Sequence, residues 1–250
     1  GYGLIWTRHM RDLVTILSAY PEYTRHNLVA EYPKLKQAFL VESRVNVLDG
    51  VMPNTGDSGA VGVWGRKGDA ATYALAFQLY GDKRFADLAW HEHKTHGSSL
   101  RLADDIYRED PDVLAREIGA VAQGSPPELR SEHFGRYGQA HLQTGTSENG
   151  RALSVHYGYK KGHSHRDSLN LGLWAKNVDM IPDLGYPEYA GHWPKRGAWT
   201  GNTISHNTLL VGDTGSGASP GGKLEQFVIE PPLRLMQVNA PDAYEEVDTY

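Results

Sequence analysis

The chain has 250 residues, with 25 Lys and Arg against 30 Asp and Glu, a net charge of −5 and no cysteine. That length admits one large domain or two small ones, the charge gives no molecule-wide footprint for nucleic acid, and the missing cysteines exclude disulfides, thiolate nucleophiles and Cys-ligated metal. No stretch reaches the roughly 18 to 20 consecutive apolar residues of a spanning helix, and the opening GYGLIWTRHM lacks the order of a secretory signal. In excess are 12 His, 14 Tyr and 6 Trp, types suited to metals, proton transfer or sugar rings.

In chain order, Leu4, Ile5, Leu13, Val14, Ile16 and Leu17 recur at helical spacing up to Tyr20-Pro21. A second helical run starts at Pro33, carries Leu35, Ala38, Phe39 and Val41, and breaks near Asp49-Gly50. Residues 52–59, MPNTGDSG, are rich in turn formers and predict a loop. Helices are predicted over 70–80 and 85–94, punctuated by Gly81-Asp82, and over 112–122.

After Gln123-Gly124-Ser125-Pro126-Pro127 the helical period gives way to short Val-, Leu-, Tyr- and Thr-rich runs separated by glycine. A domain boundary is therefore expected there, with domains at 1–125 and 126–250. Strands are predicted at 138–143, 152–159, 169–175, 207–211, 224–229 and 233–238. Without helices between them they should pair antiparallel, as in a sandwich. The chain begins without Met and stops without a terminating signal, so it reads as the middle of a longer protein.

The densest chemistry lies in KKGHSHRDSLNLGL, residues 160–173. If extended, it places His163, His165 and Asp167 on one face with Leu169, Leu171 and Leu173, the leucines entering a core and the polar trio at its rim. Two imidazoles and a carboxylate suit a zinc-type metal, or one metal ligand beside one catalytic histidine; a solvated polar turn ahead of a strand is the competing reading. Asp183 ends a largely apolar run, residues 178–182, and His206 immediately precedes the predicted 207–211 strand, so His165, Asp183 and His206 would make a His/Asp/His set with one position left for water.

GHSHRDSLNLGLWAKNVDMIPDLGYPEY and the later WPKRGAWTGNTISHNTLLV resemble the core of the heparinase II/III-like polysaccharide lyases, and DGVMPNTGDS (residues 49–58) resembles a loop of their helical toroid. The resemblance implies an α+β architecture: the end of an incomplete (α/α) toroid, then an antiparallel β-sandwich, both truncated. It implies β-elimination at uronic acid units of an acidic polysaccharide by a bacterial, periplasmic or secreted enzyme. By family position His163 matches the catalytic histidine, and His165, Asp183 and His206 match a metal set, with zinc holding loops rather than activating water. Tyr2 fits the place of the catalytic tyrosine, with Tyr107 and Tyr157 in reserve.

The charges around the motif suit a polyanion. Lys160, Lys161 and Arg166 flank it on one side and Lys195 and Arg196 on the other, a cationic rim that −5 overall does not forbid. Lys161, Arg166 and Arg196 are therefore candidate substrate-binding residues, with Trp193 and Trp199 as stacking platforms. Asn54 reads as a turn residue, and the cluster from His91 to His96, which lacks the H-E-x-x-H spacing, as the polar face of a helix. Two further readings compete: a non-catalytic acidic-glycan-binding protein, and a metal-dependent hydrolase using the same ligands.

Overall fold

The computed structural model describes residues 5–18, 20, 22, 27–59, 61, 65–66, 68–102, 106, 108–124, 126–146, 148–158, 162–176, 178–186, 196–217 and 221–245. They form two compact units, Gly1–Val45 with Lys67–Glu128, and Asn46–Arg66 with Leu129–Tyr250. Residues 46–66, expected in the first domain, thus cluster with the second. Among the described residues no helix is long and apolar enough to cross a membrane.

The first unit is helical: α1 (Ile5–Ser18), α2 (Leu28–Glu31), α3 (Lys34–Val45), α4 (Ala70–Tyr80), α5 (Lys83–His96) and α6 (Val113–Val121). The turn between α4 and α5 is written in its two residues. Gly81 takes the left-handed φ of 60° and closes α4 through its N–H on Phe77 O, and the Asp82 carboxylate then accepts from Arg84 N to start α5. The core collects Val14, Leu35, Phe39, Tyr73, Leu75, Phe85, Leu114 and Ile118. Fully burying a side chain such as Phe85 or Ile118 contributes about 1.5–3 kcal/mol. His91 and Glu92, expected on a polar face, are buried; Glu92 packs over Gly68, where a Cβ would lie 2.2 Å from its carboxylate, and the His91 ring meets His96 edge-on.

The second unit contains the two-stranded β1 (Val51–Met52) and β2 (Gly65–Arg66), then a five-stranded sheet β3 (Glu132–Phe134), β4 (Gln139–Thr144), β5 (Arg151–His156), β6 (Asn170–Ala175) and β7 (Val178–Asp179). Every neighbour pairs antiparallel, in sequence order. A separate hairpin, β8 (Lys223–Val228) with β9 (Leu235–Asn239), packs its Leu224, Phe227, Met236 and Val238 over Ala140, Val155 and Tyr157. Helices and antiparallel strands therefore segregate as the sequence implied.

Two expectations fail in detail. Two of the three leucines do not enter the core: Leu171 and Leu173 are 40% and 37% exposed, while Asn170 and Trp174 are buried and Leu169, partly buried, packs against Ala140, Val155 and Tyr157. Leu169 adopts φ +58°, which ends the alternation assumed for residues 163–173 and starts the strand at Asn170. Residues 207–210 form no strand; a 3-10 turn, Thr203–Ser205, leads into His206, and Asn207 O accepts from Leu171 N beside β6.

The register explains the burial. It aligns Gln139, His156 and Asn170, and next to them His141, Ser154 and Gly172, on one face of the sheet. This face is polar yet buried, because residues 46–55 of the same unit lie over it: the Gln143 side chain accepts from Leu48 N and donates to Asn46 O, and Val47, Leu48 and Val51 pack on Ala152 and Trp174.

Candidate functional site

The site is built on the loop that follows β1. Ser58 Oγ donates to Thr55 O and accepts from Thr55 N, closing a tight turn around Gly56 and Asp57. Gly56 has φ +56°, and a Cβ there would stand 2.4 Å from His163 O. Only glycine meets both conditions at low cost. Asp57 N then donates to His163 O at 2.8 Å, and Tyr186 N donates to Gly59 O, also at 2.8 Å. The loop is thus clamped between residues 163–164 and 185–186.

This clamping brings Asp57 under the H-x-H segment. Its carboxylate, 9% exposed, accepts from His163 Nδ1 (2.9 Å, Oδ2) and His165 Nε2 (2.9 Å, Oδ1). Arg196, from a π-helical turn over Arg196–Thr200, adds Nε to Oδ1 at 3.1 Å and Nη2 to Oδ1 and Oδ2 at 2.9 and 2.8 Å. Burial opposes ionisation of Asp57, but the bonds from Arg196, His165 and His163 together hold its carboxyl below the usual range. An ionised carboxylate only accepts. The His163 proton must then be on Nδ1 and the His165 proton on Nε2.

His165 is fully buried, and burial, only partly opposed by its bond to Asp57, pushes its pKa down, so the ring is neutral at pH 7. Its Nδ1 therefore carries a lone pair, and that buried nitrogen has no hydrogen-bond partner among the described residues. The ring faces His206 at 5.0 Å between centroids. His206 Nδ1 lies 2.7 Å from Asp183 Oδ2, which also accepts from Asn170 Nδ2 at 2.7 Å, while Asp183 Oδ1 accepts from Gly185 N. Burial works against a charged His206, yet the bond and charge of Asp183 outweigh it and raise its pKa.

His165, Asp183 and His206 are thus assembled in one unit, although their ligand atoms do not all fall within 4.8 Å of one another. In kind the donors are those of a zinc-type ion, two imidazoles and a carboxylate, all buried; among the described residues His165 Nδ1 is orphaned, whereas both His206 nitrogens face acceptors, so a metal would have to displace the proton on one of them.

Of the other sequence candidates, Arg166 is exposed and Trp199 is 42% exposed, one on each segment of the site. Tyr2, Lys161 and Trp193 lie outside the described residues, as does Tyr107. Tyr157 is buried, with its hydroxyl 2.6 Å from His133 Nε2, and burial raises its pKa. Asn54 does more than turn the chain, since its Nδ2 donates to Asp183 O at 3.3 Å. Sequence reasoning missed Asp57 and Asn170. For Asp57 a signal existed, the GDS tripeptide within the quoted loop, but nothing local tells which side chains that loop will meet.

Residues 131–236 match the heparinase II/III-like, C-terminal family. The resemblance read from the sequence holds. The heparinase II/III-like segment contains His163, His165, Asn170, Asp183, Arg196 and His206, whereas Asp57 comes from outside it. An exo-oligoalginate lyase of Saccharophagus degradans is 23% identical over 153 residues, covering 56% of this chain and 20% of that protein. Among solved structures, heparinase III superposes with a TM-score of 0.58 at 16% identity, over 85% of this chain and 31% of that one. Heparan sulfate lyase HepC from Pedobacter heparinus gives 0.57 at 17% identity, over 96% and 34%. The chain therefore spans about a fifth of the curated relative and about a third of the solved chains, and the structural likeness is one of fold.

Proposed function

We propose that this chain is part of a polysaccharide lyase that cleaves at uronic acid units of an acidic polysaccharide by β-elimination. The observation that carries the reading is the convergence of His163, His165 and Arg196 on one buried carboxylate, Asp57, within a unit whose sheet matches the heparinase II/III-like family.

In β-elimination a base takes the C5 proton, the electron pair forms the C4–C5 double bond, and O4 leaves with a proton from an acid. The C5 proton becomes acidic enough only if charge on the adjacent carboxylate is stabilised. In the neutral Nδ1–H form His163 carries its lone pair on Nε2, which equips it to handle a proton or to hydrogen-bond the uronate. Arg196, Arg166 and Lys161 supply positive charge to the acidic chain, and Trp199 and Trp193 offer sugar-stacking faces. Tyr2 is the proposed base and acid. His165, Asp183 and His206 would hold a zinc-type ion, whose chemistry there is to fix the loops that carry His163 and Arg196. A secreted or periplasmic setting accords with a polymeric substrate.

The test is product chemistry at the protein's natural length. Incubation with uronate polymers should yield products absorbing in the conjugated-alkene band, one new double bond per cleavage. Saturated new ends would indicate hydrolysis and remove the lyase reading.

A further inference from the structure

Asp57 has more partners than a structural ion pair needs. A carboxylate has about four acceptor directions, and Asp57 fills them with a two-pronged guanidinium and two imidazoles. Those partners lie 106 to 139 residues away in sequence. The two rings also approach through opposite nitrogens, Nδ1 of His163 and Nε2 of His165.

We propose that Asp57 is the positioning residue of this site: its carboxylate decides which nitrogen of His163 and of His165 carries the proton, and it holds Arg196 beside them. For His163 the consequence is orientation. Its side chain is 64% exposed, and the bond to the 9%-exposed Asp57 fixes the ring plane and directs the Nε2 lone pair away from the carboxylate. For His165 the consequence is ligand character. With the proton on Nε2, the basic Nδ1 is left on the buried side, where the metal set needs a lone pair. The Arg196 guanidinium occupies both oxygens and keeps the carboxylate charged and in place.

The effect on turnover rests on the lyase reading above; the effect on the rings does not. Two measurements separate them. Nitrogen-15 shifts of the zinc-free wild-type protein should show His163 as Nδ1–H and His165 as Nε2–H. In Asp57→Asn, which keeps size but has only one acceptor atom and no charge, at least one ring should change tautomer. Steady-state kinetics of folded Asp57→Asn should show kcat falling about 10- to 100-fold, with KM changed much less, a split that a merely structural role would not give.

An Nε2–H His163 in the wild type, or unchanged tautomers and kcat in Asp57→Asn, overturns the proposal. If wild type eliminates nothing, the lyase reading falls and the ring shifts alone decide the role of Asp57. If Asp57→Asn does not fold, the wild-type shifts decide it.

Discussion

His206 and Asp183 are joined by a 2.7 Å bond from Nδ1 to Oδ2, while the other nitrogen of the ring, Nε2, lies 3.0 Å from Thr200 O. Both nitrogens thus face acceptors, which suits a protonated imidazole and agrees with the raised pKa of His206. A group raised on folding stabilises fully below its unfolded pKa, about 6.5 for histidine, and that contribution is lost as pH rises through the folded value. In zinc-free protein the stability gap between wild type and His206→Gln should therefore be widest near pH 5 to 6 and narrow as pH rises, measured by denaturant melts. A gap that widens with pH would contradict the assignment. Zinc competes with the same proton, so its binding should release protons and strengthen over that range, which calorimetry in buffers of different ionisation heat would register.

Gly56→Ala adds two costs at one position, a left-handed φ for a residue with a Cβ and a clash with His163 O. The expected loss is about 1–3 kcal/mol by thermal or denaturant unfolding. Because Asp57 is the next residue, the signals of the His163 and His165 rings should move as well. Alanine tolerated without change in either would mean that the loop is not clamped as described.

Arg196→Lys preserves the charge but not the planar fork that spans both oxygens of Asp57. Binding of an acidic oligosaccharide should weaken by about 1.5–3 kcal/mol, the scale of a hydrogen bond to a charged group. Arg196→Ala should weaken it further and flatten its salt dependence. Equal binding by all three proteins would take Arg196 out of substrate recognition.

In the first unit Asp82 caps α5 through Arg84 N and bonds Arg84 Nη2 and Lys36 Nζ at 2.7 and 2.8 Å. The bond from Arg84 outweighs the burial penalty, and with the added bond from Lys36 it holds the Asp82 carboxyl well below the usual range. A depressed carboxylate stabilises above its unfolded pKa, about 4, and the benefit is lost as pH falls through the folded value. Asp82→Ala should cost about 1 kcal/mol near neutrality, from the lost cap alone. The variant and wild type should converge in strong acid; a constant difference down to low pH would argue against ionic bonding at Asp82.

Much of the fold was legible because its signals are local. Gly81-Asp82 ends one helix and starts the next through backbone and capping geometry contained in two residues. The strands at 139–144 and 151–156 follow from short runs bounded by Gly138, Gly145, Gly150 and Gly158. What failed was the face on which β6 is buried. Alternation predicted a leucine core, but the buried face carries Asn170, Ser154, His156 and Gln139 and finds its partners in residues 46–55, far off in sequence. The 207–211 strand failed for a related reason, since Asn207 bonds to Ile181 O and Asn170 Oδ1 rather than joining a ladder.

Length and charge began as bounds, and they kept their meaning: with no cysteine in 250 residues at −5, a metal set here draws on histidine and carboxylate ligands. Sequence by itself determined the two kinds of element and the lyase resemblance, and it singled out His163, His165, Asp183, Arg196 and His206 as candidates, because motif and composition are carried by neighbours along the chain. Only the tertiary structure decided that a loop from the helical half of the sequence enters the second unit, and that Asp57 on it gathers two histidines and an arginine. The physical reason is that a hydrogen bond depends on where atoms meet in space, and a contact across 106 residues leaves no spacing in the sequence to read.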